Sequence, residues 1–124
     1  MYEEAGLSSL ERLVGREVDS VCFVRDYVQI VFDDGIVLTC YTLPIVTVSE
    51  QAFSFGVLGY RDRLGDLIGK SVQSVAERRQ EELSIVFEGG DNVSVSLRTE
   101  SFTSVEAAML HRPGGDIFDV WRDE

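Results

Sequence analysis

The sequence predicts an α+β fold made by tandem duplication: an αβββ unit used twice, its strands mostly antiparallel, forming one sandwich- or barrel-like domain with two short helices. Three observations predict it. Leu10-x-x-Leu13-Val14-Gly15-Arg16-x-Val18-x-Ser20-Val21 recurs as Leu64-x-x-Leu67-Ile68-Gly69-Lys70-x-Val72-x-Ser74-Val75, offset by 54 throughout. Val28-x-Ile30-Val31-Phe32-Asp33-Asp34-Gly35 is matched by Leu83-x-Ile85-Val86-Phe87-Glu88-Gly89-Gly90 at an offset of 55. Thr47, Glu50 and Ala52 then line up with Thr103, Glu106 and Ala108 at 56. The slippage falls between blocks, in turns that tolerate insertion. Two copies are too few for a solenoid, so the expectation is pseudo-twofold symmetry about one core. The copies span about residues 7–58 and 61–121 of a single domain covering 1–124.

Each copy opens with a helix. Ser8 suits the N-cap of the first, with Glu11 three residues on completing a capping-box pattern. Leu10, Leu13 and Val14 share a face, and Gly15 suits a left-handed stop. Leu64, Leu67, Ile68 and Gly69 repeat this, with Asp62 as the expected cap. Helices this short need a sheet to hold them.

The strands follow. Val18, Ser20, Cys22 and Val24 alternate onto one face, and Arg25-Asp26 turns into Val28, Ile30 and Phe32. Asp33-Asp34-Gly35 reads as a three-residue hairpin loop. Its register sets Phe32 against Ile36, Ile30 against Leu38 and Val28 against Cys40, all on one face. Cys22 and Cys40 are thus expected as small inward core residues, not a disulfide. In the second copy Val72 to Ala76 form a strand, Glu77 to Glu82 a charged turn, and Leu83, Ile85 and Phe87 the next inward face. Glu88 to Asn92 loop back to Val93, Val95 and Leu97. Met109-Leu110-His111, the turn Pro113 to Asp116 and Ile117 to Trp121 make a last hairpin, for seven or eight strands in all.

Charge excludes some functions. With 22 acidic against 11 basic residues the chain carries −11 at pH 7. Nucleic-acid binding needs a basic stripe that displaces counterions, and an anionic membrane surface would repel this protein. The charge serves solubility, or it steers a basic protein partner. Met1-Tyr2-Glu3-Glu4 is acidic where a signal peptide is basic, and no apolar run approaches the ~20 residues of a membrane span. The expectation is cytoplasmic. Ten of the eleven basic residues are arginine, the bias of a GC-rich bacterial genome.

No residue is assigned a catalytic, cofactor-binding or metal-binding role. His111 is the sole histidine, and neither cysteine nor any serine carries a nucleophile motif. One histidine and two separated cysteines do not make a zinc site. Asp33, Asp34 and Glu88 supply turn chemistry, and Gly89-Gly90 leads into a strand where a phosphate loop needs a helix. Glu50 and Glu106 would be symmetry mates able to face one another as an acid–base pair; the expectation placed ahead of it is that each caps a short helical turn after Ser49 or Ser104. Tyr60-Arg61-Asp62-Arg63 has interface-type composition but also suits helix entry. Trp121 suits a core or interface anchor.

Gly59-Tyr60-Arg61-Asp62-Arg63-Leu64, Leu67-Ile68-Gly69-Lys70-x-Val72, Ile85-Val86-Phe87, Ser96-Leu97-Arg98, Ser104-Val105-Glu106-Ala107-Ala108 and Val120-Trp121 together resemble a family of small bacterial proteins with no assigned activity. That family often carries proline where this chain has Val105. The resemblance implies no catalytic residues; similar small acidic domains stand beside toxin genes as immunity proteins. Two functions are therefore expected: a non-enzymatic protein-binding module of immunity or regulatory type, or a small-ligand or homodimer-forming domain with its site between the copies.

Overall fold

In a computed structural model, residues 8–122 are described; the acidic N-terminus and the start of the first copy lie outside them. Among the described residues ten strands form two five-stranded antiparallel sheets that sandwich one core, with no closed barrel. In chain order they are β1 (Val18–Val24), β2 (Tyr27–Phe32), β3 (Val37–Cys40), β4 (Ile45–Val48), β5 (Gln51–Phe53), β6 (Val72–Arg78), β7 (Glu82–Phe87), β8 (Asn92–Ser96), β9 (Glu106–His111) and β10 (Ile117–Arg122). One sheet runs β10-β9-β3-β2-β1, the other β5-β4-β8-β7-β6.

The halves exchange strands. Each gives three consecutive strands to one sheet, then crosses the core and adds a hairpin to the other. The β3–β9 pairing sets Leu38 against Leu110, and the β4–β8 pairing sets Val46 against Val93. Neither sheet is complete without the other half. Hydrogen bonds between the halves are reciprocal: Gly15 N–H donates to the Val72 carbonyl and Gly69 N–H to that of Val18, while Val18 N–H donates to Lys70 and Val72 N–H to Arg16. Such contacts mark an approximate twofold.

That arrangement corrects the third alignment. Leu38 and Val93 occupy matching positions, so their partners Leu110 and Val46 match too, at an offset of 64, from 46 to 110. The difference from 56 comes from the longer second crossover and its 3-10 turn, Thr99–Ser101. Glu50 and Glu106 are not equivalent. Nor does either cap a helical turn. Ser49 and Glu50 both have positive φ, 52° and 69°, in the two-residue turn between β4 and β5. Glu106 begins β9, its N–H donating to Ser104 Oγ at 3.2 Å.

The helices also differ from expectation in detail. The first is 3-10, Ser9–Leu13, with Leu10 N–H donating to Ser8 Oγ at 3.1 Å. The second, α1 (Tyr60–Gly65), is capped by Gly59 at φ 92° and not by Asp62, which lies in the first turn. Gly15 and Gly69 take the left-handed stop, at φ 86° and 90°. Leu10 and Leu13, and their counterparts Leu64 and Leu67, are fully buried. Each contributes about 1.5–3 kcal/mol. One ion pair ties each helix exit to its own hairpin: Arg16 with Asp34, and Lys70 with Asp91.

The first hairpin register stands as expected, with Phe32 N–H bonded to the Ile36 carbonyl at 2.9 Å; the second hairpin bonds Phe87 N–H to the Asp91 carbonyl at 2.8 Å, and its loop is shorter than the expected Glu88 to Asn92, since Asn92 already pairs with Val86. The strand before each hairpin does not keep its expected alternation. A bulge inserts Asp19 between the Val18–Phe32 and Ser20–Val31 pairs, and Gln73 does the same in β6. One extra residue reverses the alternation. Val21 turns inward, and Cys22 turns out opposite Gln29, exposed. Only Cys40 is a core cysteine. The charged turn after β6 is tighter than expected, with Arg78 and Glu82 in strands and their side chains paired at 3.0 Å.

Candidate functional site

Two crossovers carry the chain between sheets: residues 41–44 from β3 to β4, and 97–105 from β8 to β9. They are pinned together where Tyr41 and Thr42 N–H both donate to the Ala107 carbonyl, at 2.8 and 2.9 Å, and Thr103 Oγ1 donates to the Tyr41 carbonyl at 3.2 Å. Beside them opens a cleft of about 790 Å³, walled by Tyr27, Tyr41, Thr42, Leu43 and Phe55 from the first half and Ser101, Thr103 and Ser104 from the second. Its size is that of a small-molecule site, on the order of 300–1,000 Å³.

Each wall has a local cause. Tyr27 leaves the β1–β2 turn and Tyr41 directly follows β3, bringing their rings to 5.5 Å at 55°. Burial first, then Glu106 and Tyr27, raise the Tyr41 pKa, so this phenol stays protonated at neutral pH. Tyr60 holds the α1 side: its hydroxyl, buried, donates to the Pro44 carbonyl at 2.6 Å, and Phe55 meets its ring edge-on at 6.2 Å. Burial pushes the Tyr60 phenol far up as well. Thr42 is the anomaly. It is 6% exposed, and its Oγ1 is buried without a hydrogen-bond partner. Leaving a hydroxyl so costs about 1–3 kcal/mol.

Next to the cleft, the loop from β5 to α1 presents Phe55, Val57 and Leu58, exposed by 61%, 44% and 95%. Isolated exposed apolar residues are ordinary; three in four positions of one loop are not.

The residues weighed for chemistry are not brought together. Glu50 lies in a turn of one sheet; Glu106 and His111 begin and end β9 in the other, five residues and so about 17 Å apart. Glu106 pairs with Arg122 at 3.5 Å. His111 Nε2 lies 3.0 Å from Thr39 Oγ1, which accepts from Gln29 Nε2 at 3.1 Å. The Thr39 hydroxyl can then donate to a neutral imidazole. Burial lowers the His111 pKa below its ordinary 6.5. Its contribution to stability is therefore complete above 6.5 and declines as pH falls through 6.5 toward the lower folded value. In urea titrations, His111→Gln should flatten that decline relative to wild type; equal slopes just below pH 6.5 would assign it elsewhere.

Cys40 is fully buried, its thiol pushed up to about 12 by desolvation, and so unsuited to nucleophilic work. Cys22 lies two strands away on the opposite face, beyond disulfide reach. A thiol reagent should label one cysteine in the native protein and both in denaturant; labelling of neither in the native state would contradict the bulge. Trp121 is core, its Nε1 donating to Glu77 Oε2 at 2.9 Å. Among the described residues no group of three His, Cys, Asp or Glu could hold a metal, and no helix is long and apolar enough to cross a membrane.

Sequence reasoning missed Tyr27, Tyr41, Thr42 and Phe55 as a group. Only the polar Thr42 within Tyr41-Thr42-Leu43-Pro44 hinted at it, and a lone threonine beside a strand end carries no such meaning by itself. No protein family, no curated protein and no solved structure matches the chain.

Proposed function

We propose that this protein is a non-enzymatic protein-binding module of immunity or regulatory type, docking a basic partner through the Phe55–Leu58 loop. The carrying observation is Leu58, 95% exposed between Val57 and Gly59 and contributing nothing to the core. A contiguous exposed apolar patch of this kind marks a surface for a partner to cover. The −11 charge supplies long-range attraction for a basic protein, faster encounter and a salt-dependent rate. The halves are read as products of one duplication, on the strength of the 54-residue sequence offset and the reciprocal hydrogen bonds.

The test is a photo-crosslinking residue placed at Leu58 in the cell of origin. It should trap one basic protein, with the yield falling in high salt and vanishing when Val57→Asp is added. The same probe at Ser84, on the outer face of β7, should trap nothing. No adduct at Leu58, or equal adducts at both positions, would defeat the proposal. A product of twice the chain mass would replace it by a homodimer.

A second function, a small-ligand site between the halves, is favoured by one observation: a cleft of small-molecule size that residues of both halves line.

A further inference from the structure

We propose that the crossover cleft receives an arginine side chain of the basic partner, its guanidinium packed against the rings of Tyr27, Tyr41 and Phe55. The proposal rests on docking at the Phe55–Leu58 loop and adds what enters beside it. Phe55 belongs both to that loop and to the cleft wall, so a protein that covers the loop lies at the cleft.

Three observations favour that guest. A guanidinium is planar, weakly hydrated and attracted to the negative face of an aromatic ring. This chain uses the contact on itself. Arg61 lies 5.4 Å from the centre of the Phe23 ring, Arg63 6.0 Å from that of Phe53, and Arg12 and Arg112 4.3 and 5.6 Å from that of Phe118. Among the described residues no arginine covers Tyr27, Tyr41 or Phe55 in this way, although Arg25 stands in the same wall. Two of the three rings are also set in place before any guest arrives: Tyr27 opens β2, Tyr41 follows β3, and their centres are 5.5 Å apart. Such preorganisation lowers the cost of binding. The last observation is charge. Locally it balances, with Asp26 beside Arg25 in the wall and Glu106, two residues beyond Ser104, paired with Arg122 at 3.5 Å. The chain's −11 then decides the sign, drawing a cation and repelling an anion. An apolar side chain would gain nothing from that field.

The full chain, labelled with ¹⁵N, is titrated at low salt with N-acetyl-argininamide. The controls are N-acetyl-citrullinamide, which keeps the shape without the charge, N-acetyl-leucinamide and N-acetyl-tryptophanamide. The arginine amide should give saturable shifts at the Tyr27, Tyr41 and Phe55 amides that weaken as salt rises; the controls should not. Phe55→Leu and Tyr41→Leu should each weaken its binding about threefold, the size of one exposed cation–π contact. Tyr41→Phe, which keeps the ring, should bind as the parent does. Phe55 is largely exposed, so its variant is expected to fold normally. Arg25→Gln should tighten binding, because a like charge leaves the wall. No saturable shift, an equal response to any control, unchanged affinity in both leucine variants, or weaker binding in Arg25→Gln would overturn the proposal. None of these outcomes touches the Leu58 crosslink on which docking stands. Repeating that crosslink in the Tyr41→Leu background places the arginine. A lower adduct yield assigns it to the docked partner; an unchanged yield beside weakened amide binding gives the cleft to a free organic cation and overturns the proposal.

Discussion

Cut between Leu58 and Gly59, the chain should yield two fragments that do not fold as monomers but regain the native structure when mixed. The first fragment holds β1–β3 and the hairpin β4–β5, yet these two pieces belong to different sheets. Without the second fragment, β3 lacks its β9 partner and β4 lacks β8. Each piece alone would expose the faces that carry Ile30, Leu38 and Val46, all fully buried in the intact protein. A chain of about 60 residues is marginal even when it owns a complete core. Circular dichroism and amide dispersion should therefore show disorder for each fragment and recovery at equimolar ratio. A fragment could also fold by pairing with a second copy of itself, which would appear as a dimer by mass. A cooperatively folded monomeric fragment would contradict the exchange.

Phe32→Ala and Phe87→Ala should each lower stability by about 3–5 kcal/mol. Both rings are the largest fully buried side chains, at matching positions before the two hairpin loops, and both belong to one continuous core. Because each sheet draws strands from both halves, loss of either ring should bring the whole domain down in a single urea transition. Trp121 fluorescence and far-ultraviolet dichroism should coincide for both variants. Two separate transitions, or a loss below about 1.5 kcal/mol for either variant, would mean that the halves are independent or that the site collapses around the gap.

The sequence made local structure legible where alternation and glycine agreed. Phe32-Asp33-Asp34-Gly35-Ile36 determined a loop length, and loop length determined which residues face each other. Gly15 and Gly69 marked helix ends because few other residues tolerate φ near 90°. Asp19 and Gln73 defeated the same reasoning one strand earlier. A bulge leaves no mark in composition, yet it moved Cys22 from core to surface. The exchange of strands was hidden for another reason: Ile45 to Val48 alternate equally well in either sheet, so nothing local says which they join. The cleft inherits that blindness. Its walls come from residues 25–27 and 41–43, Phe55, Ser101, Thr103 and Ser104, and they meet only after both crossovers are in place. The third repeat match, around Glu50 and Glu106, joins residues that the strand pairing keeps apart.

Interproton contacts across the β3–β9 and β4–β8 pairs test the interleaved architecture, and the cleft it creates, most directly. In a nuclear Overhauser spectrum of the ¹³C,¹⁵N-labelled protein, Leu38 should show cross-strand backbone contacts to Leu110, and Val46 to Val93. Contacts from Leu38 to Val46 in place of these would mean that each half closes its own sheet, and the site described here would not exist.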